Sequence, residues 1–356
     1  MKAASRLATI ALAIAATVAA SIAPAEAAPK TEFKIAWSIY VGWMPWGWAS
    51  DNGIVKKWAD KYGIKIKVVQ FNDYIESINQ YTAGSFDGVT ATNMDTLAIP
   101  SVGGVDTTAV IVGDYSNGND ALILKDKTKL ADVKGQKINL VQFSVSHYLL
   151  DRALESAGLT EKDVSVVNTS DADMVAAWKT PQVTSVVTWN PIVQTIMADK
   201  SAHEVFDSSK IPGEIQDLMV VNTQTLKDNP ALGKALVGIW YETLKIMESD
   251  TAEGKAARTA MATASGADLA GFEDQLKTTK LFSTPESAVA FTDGDLAPIM
   301  DKVRKFLFDH GLLGNGAASA DVVGIQLADG RILGDKAKVK FRFDDTYMKL
   351  AAEGKL

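Results

Sequence analysis

Nine short apolar runs, most of them separated by amphipathic helical stretches, confine this chain to an α/β architecture. FKIAWSI (33–39), IKIKVVQF (64–71), DGVTATN (87–93), TTAVIVGD (107–114), NDALILK (119–125), QKINLVQF (136–143), DVSVVNT (163–169), VTSVVTW (183–189) and DLMVVNT (217–223) each have the length and β-branched content of one strand. Helical patterns with recognisable ends lie between them. NGIVKKWADKYG is closed by Gly63, and SVSHYLLDRALESAGL is opened by Ser144 or Ser146 and closed by Gly158. A βαβαβ order that occurs twice predicts two sheets buried between helices. From 224 onward the pattern is mostly helical, and KVKFRFDDTYMKLAAEGKL predicts a strand and a last helix.

About 330 residues follow the first 27, more than one hydrophobic core usually serves, which predicts two domains. No low-complexity linker separates them, so the boundary is expected to be crossed twice, near 114–119 and near 217–222. An outer lobe of 33–114 and 222–356 then carries an inserted lobe of 119–217. Residues 1–27 read as a secretory signal: Lys2 and Arg6, then small and apolar residues from Leu7 to Ile22, then Ala25-Glu26-Ala27 as the cleavage pattern. That run is short of the roughly 20 residues of a membrane span, and the expected compartment is the periplasm. With no cysteine in the chain, neither a lipid anchor, a disulfide nor a thiol nucleophile is available. A net charge of −7 argues against nucleic acid as a partner, and the three histidines, far apart in sequence, argue against a histidine-built metal site. No cofactor is expected.

Four segments in order resemble the periplasmic solute-binding proteins of ABC importers, in the branch that takes up sulfonates, nitrate, taurine and thiamine precursors. They are WMPWGWASDNGIVKKWADKYGIKIKVVQF, LADVKGQKINLVQFSVSHYLLDRALESAGLTEKDVSVV, VTSVVTWNPIV and VVNTQTLKDNPALGKALV. With FRFDDTYMKLAAEGKL at the end, the wording is most similar to the binding proteins encoded beside urea carboxylase, an enzyme that also handles guanidine. The resemblance implies a two-lobed periplasmic binding protein fold of type II, each lobe a mixed sheet flanked by helices, joined by two hinge strands and closing on its ligand. It also implies a small-molecule ligand, an inner-membrane ABC permease as partner, and a monomer.

Open α/β sheets bind ligands at the carboxyl ends of their strands. The residues just past each expected strand are Tyr40, Trp43 and Trp46; Asn72, Asp73 and Tyr74; Thr92, Asn93 and Asp95; Asp114 and Tyr115; Phe143, Ser144 and Ser146; Asp171 and Asp173; Trp189 and Asn190. From these, Tyr40, Trp43, Trp46, Asn93, Asp95, Asp114, Ser144, Asp171, Trp189 and Asn190 are taken as the candidate binding set. It holds carboxylates and rings and no Lys or Arg. An anion binder needs donors and a basic residue, whereas converging carboxylates are relieved by a cation. Rings over a cation add about 0.5–2 kcal/mol per contact. A planar guanidinium fits, with edges for Asp and faces for Trp or Tyr; neutral urea has the same shape.

Each residue also has a plainer reading. Asp73, Asp95, Asp171 and Asp173 precede or open helices, where Asp caps free N–H groups, and Ser144 and Ser146 do the same. Trp48 is expected in packing. An enzyme on the same fold, akin to thiamine-precursor synthases, is the rival class. With no Cys, few His, no phosphate loop and no Gly-x-Ser-x-Gly elbow, nothing supplies its nucleophile or base. A sulfonate, taurine or nitrate binder is the alternative ligand class.

Overall fold

The computed structural model describes residues 30–294, 296–314 and 316–356. The expected signal segment 1–27 lies outside them. The chain first lays down β1 (Glu32–Ser38), β2 (Lys65–Phe71), β3 (Gly88–Thr92) and β4 (Thr107–Ser116). It then builds a separate five-stranded sheet from β5 (Asp120–Lys125), β6 (Lys137–Leu140), β7 (Ser165–Asn168), β8 (Ser185–Trp189) and β9 (Ala202–Asp207), in the order β7-β6-β8-β5-β9. The return adds β10 (Gln216–Asn222), β11 (Thr279–Leu281), β12 (Gly324–Gln326), β13 (Ile332–Leu333) and β14 (Val339–Phe343) to the first sheet. That sheet runs β13-β12-β14-β4-β10-β3-β1-β2, with β11 paired to β4. The result is two mixed sheets flanked by helices.

Passage between the sheets occurs at 117–119 and again at 208–215. The second passage lies ahead of the expected 217–222 because Asp217–Val221 pair with β3 on one side and β4 on the other, which makes β10 an integral strand of the first sheet. Its direction matters for the site. β10 is antiparallel to both neighbours, so its amino end lies beside the carboxyl ends of β3 and β4.

The strands at the centre of the first sheet are covered on both faces, which is why GVTAT of β3 is buried throughout and shows no alternation. The helix Val145–Ser156 starts where Ser144 Oγ accepts from Ser146 N and ends before Gly158, whose φ of 67° only glycine adopts without strain. The helix Tyr74–Thr82 is capped by Asp73, which accepts from Glu76 N at 2.8 Å. Pro230 opens the longest helix, Pro230–Met247, whose Trp240 packs under β4 and the helix Met44–Asp51. A main apolar core spans both sheets, and a second, smaller one around Ile123, Met174 and Trp178 fills the far face of the second sheet. No helix among the described residues is long and apolar enough to cross a membrane.

Candidate functional site

The edge where the two sheets meet forms a small cleft with about 20 Å³ of free space, lined by Tyr40, Trp43, Tyr74, Thr92, Asp120, Val145, Trp189, Ile215 and Asp217. That space has room for about one water molecule, so a larger occupant needs the lining to move apart. Tyr40 and Trp43 follow β1, Thr92 ends β3, Tyr74 opens its helix after β2, and Trp189 ends β8 in the second sheet. Four rings form a continuous wall. Tyr40 meets Trp43 edge-on at 5.1 Å, Trp43 lies 5.6 Å from Tyr74, and Tyr74 meets Trp189 edge-on at 5.6 Å.

Carboxyls surround this wall. Asp114 Oδ1 accepts from the Tyr40 hydroxyl at 2.7 Å and from the Thr279 hydroxyl at 2.6 Å. Asp217 stands opposite Asp114 in the β10–β4 register and lines the cavity itself. Asp120, at the amino end of β5, accepts from Ser116 Oγ at 2.5 Å. Asp95 Oδ2 holds the Tyr74 hydroxyl at 2.8 Å and the Thr92 hydroxyl at 2.9 Å. Burial drives all of these groups toward the neutral form. It pushes Asp120 up to about 7, against the Ser116 bond and helped by the charges of Asp114 and Asp95. Asp95 rises to about 6 from burial, in spite of bonds from Tyr74, Thr92 and Val145. Asp217 is held well above the carboxylate range by burial first and then by the Asp114 charge, and Asp114 is raised by burial. No Lys, Arg or His lines the cavity.

The two sheets are joined around it by hydrogen bonds that consume helix amides. Val145 N, at the start of its helix, donates to Asp95 Oδ2 at 3.3 Å, and Tyr74 N donates to Asp171 Oδ1 at 3.3 Å. Trp189 Nε1 donates to Ile39 O at 3.4 Å. Two helix N-termini that face this cleft, each a natural anion site, are thus already occupied by the protein's own carboxylates.

Of the candidate set, Tyr40, Trp43 and Trp189 line the cavity, and Asp114 stands directly behind Tyr40. Asp95 and Asp171 act through Tyr74, one holding its hydroxyl and the other its amide. The other four are placed elsewhere. Trp46 stacks on Trp240 at 5.5 Å, because its helix turns that ring into the core of the first sheet. Asn93 donates to Glu214 O and accepts from Gln216 N, pinning the second passage between the sheets. Ser144 is a helix cap whose hydroxyl donates to Val141 O. Asn190 accepts from Gln194 N and donates to Thr278. Trp46→Phe is therefore expected to lower the melting temperature while leaving ligand affinity within twofold, as thermal melts and titration calorimetry would register.

Asp120, Asp217, Val145, Ile215 and Thr279 were not among the expected residues. Asp120 and Asp217 sit at the amino ends of the two strands that follow the passages. A rule built on the carboxyl ends of parallel strands looks past them. The signal that would have found them is an Asp opening an apolar run right after a predicted crossing.

Among the described residues one group brings metal-capable atoms together: His147, Glu161 and His310, within 4.8 Å of one another. Two histidines 163 positions apart thus converge, which their spacing in the chain did not predict. His147 Nδ1 accepts from Phe143 N at 3.2 Å, so its Nε2 carries the ring proton and donates to Glu161. That ring has no lone pair left for an ion. His310 Nδ1 bonds Phe306 O at 2.8 Å, and its Nε2 lies 3.1 Å from Glu161. Bonds from both histidines hold Glu161 well below its ordinary range. Burial opposes protonation of His310, but Glu161 and the Phe306 carbonyl outweigh it and raise the imidazole. The stability from His310 is complete below its unfolded value of about 6.5 and fades as pH rises through the raised folded value. That from Glu161 is complete above about 4.5 and fades as pH falls. The melting-temperature gap between the protein and its His310→Gln variant is expected to be widest between those two values and to shrink on either side.

Residues 26–263 match the NMT1-like family. A binding protein of Brucella abortus is 25% identical over 240 residues, which are 65% of this chain and 71% of that protein. The alkanesulfonate-binding protein of Xanthomonas axonopodis pv. citri, solved with MOPS, superposes with a TM-score of 0.64 at 18% identity, over 81% of this chain and 96% of that one. The periplasmic nitrate-binding protein of Synechocystis does so with a TM-score of 0.55 at 14% identity, over 90% and 98%. Two sheets, two passages and a cavity between them make this the periplasmic binding protein fold, and the match across two thirds of its length makes the chain a member of the NMT1-like family.

Proposed function

We propose that this protein is the periplasmic solute-binding component of an ABC importer, and that it closes two lobes over a small planar nitrogen cation. Guanidinium is the favoured ligand and urea the next. In this reading 33–114 and the segment from β10 onward form one lobe, and the inserted segment that ends at the second passage forms the other. Closure is a population shift that the ligand stabilises. The reading needs no covalent step and no partner beyond the ligand and an inner-membrane permease.

One observation carries it: the cavity is walled by four rings and by Asp120 and Asp217, with no cationic side chain in its lining. A flat cation can stack on Trp43, Tyr74 or Trp189, each contact being worth about 0.5–2 kcal/mol, while its N–H edges meet the carboxyls. The related sulfonate and nitrate binders supply the competing ligand class. Against it stand the amides of Val145 and Tyr74, which an anion would need and which Asp95 and Asp171 already hold.

The experiment is a thermal-shift panel at millimolar guanidinium, urea, taurine, alkanesulfonate and nitrate, followed by calorimetry. Binding to the native state alone raises the melting temperature with ligand concentration. A shift with guanidinium, a smaller one with urea and none with the anions is expected. Tight uptake of nitrate or a sulfonate would overturn the reading.

A further inference from the structure

A buried pair of carboxyls without a counter-ion, one in the cavity lining and one behind it, poses a problem before any ligand arrives. Asp114 and Asp217 are cross-strand partners in β4 and β10 and are both buried. Directly opposed residues hold their side chains roughly 5 Å apart. Asp114 Oδ1 takes the hydroxyls of Tyr40 and Thr279, and Asp114 Oδ2 has no donor among the described residues. The groups that face the pair are neutral or acidic: Tyr40 after β1, Thr92 opposite Asp217 in β3, Thr279 from β11 and Asp120 from β5. Beyond Asp120 lies Asp95. Two like charges in such a place are not both kept ionised; the pair retains a proton, which also gives the orphaned oxygen a donor.

We propose that the site exchanges a proton for its cation: the Asp114–Asp217 pair holds one proton in the empty protein and releases it to solvent when a guanidinium-type cation enters. One carboxyl O–H bond breaks, no other covalent bond changes, and the filled site carries the same net charge as the empty one. This rests on the cation reading and goes beyond it, since it ties uptake to pH. Burial raises both carboxyls, and the Asp114 charge raises Asp217 further. A proton that must leave for the cation to bind makes acid the competitor, so affinity falls about tenfold per pH unit below the pair's apparent pKa. Neutral urea displaces no charge and is expected to bind independently of pH over that range.

The test is calorimetric titration of the intact protein with guanidinium chloride at pH 8, above the values of Asp95 and Asp120, in two buffers of different ionisation enthalpy, with infrared spectra of the empty and filled protein. About one proton released per ligand is expected, with a buried carboxylic-acid C=O band that guanidinium abolishes. The wild-type measurements need no variant; Asp217→Asn and, should it fail to fold, Asp114→Asn are expected to lack both the band and the proton release. Guanidinium binding with equal heats in the two buffers overturns the exchange and leaves the cation reading standing. Absence of guanidinium binding, with the acid band unchanged on addition, overturns both.

Discussion

Asp217→Asn is expected to weaken guanidinium binding at least thirtyfold while raising the melting temperature of the empty protein. The affinity loss follows from deleting one of the carboxylates that a desolvated cation would pair with, an effect of about 2 kcal/mol or more at a buried site. The gain in stability follows from the same geometry. Asp217 is buried beside Asp114, and both are raised by that burial. An asparagine is neutral without the proton that the pair must take up on folding, and its amide supplies the same donor to Asp114 Oδ2. Calorimetry and thermal melts of the same preparation read both quantities. A fall in melting temperature with affinity intact would make Asp217 a structural acid and misplace the site.

Glu214→Ala is expected to destabilise the protein by about 2–3 kcal/mol, below the 3–5 kcal/mol of a fully buried pair because its cationic partners keep some solvent. Glu214 lies in the second passage, and its carboxylate accepts from Tyr148 OH at 2.7 Å and Arg152 Nε at 2.8 Å, with Lys302 on its other oxygen. Those three come from two helices, Val145–Ser156 and Ala297–Asp309. Its backbone carbonyl accepts from Asn93 as well. Removing the carboxylate leaves the Tyr148 hydroxyl without its acceptor and the half-buried Arg152 with Glu155 alone. Urea denaturation is the measurement, and a change under 0.5 kcal/mol would show that the cluster is merely a solvated charge arrangement.

Much of the fold was legible because its signals are local. Strands β1 to β8 and β10 are apolar runs bounded by caps and glycines, and Ser144 and Gly158 end their helix as the sequence implies. β9 was not, because AHEVFD lies at the sheet edge with three of its six residues only half-buried, so it has no continuous apolar run to display. β11, β12 and β13 have two or three residues each, too few for any periodicity. The same distinction divides the site. Tyr40, Trp43 and Trp189 follow the carboxyl ends of strands that the parallel-sheet rule covers, and that rule finds them. Asp120 and Asp217 belong to strands entered from the other direction, where the amino end meets the cavity. Trp46, three residues past Trp43, shows what sequence proximity cannot resolve: one ring faces the cavity and the next faces Trp240.

Asp114 lies near the end of β4 and Asp217 near the start of β10, at the points where the chain departs for the second sheet and comes back. In the proposed reading, the groups that meet an occupant therefore belong to the fulcrum and not to the jaws. If the proposed closure is right, neutralising them acts on the two connecting strands themselves, so occupancy would be registered at the pivot without any relay through the rest of the fold. Under the same reading, substitutions meant to retune what the cavity accepts are expected also to change how far the jaws swing.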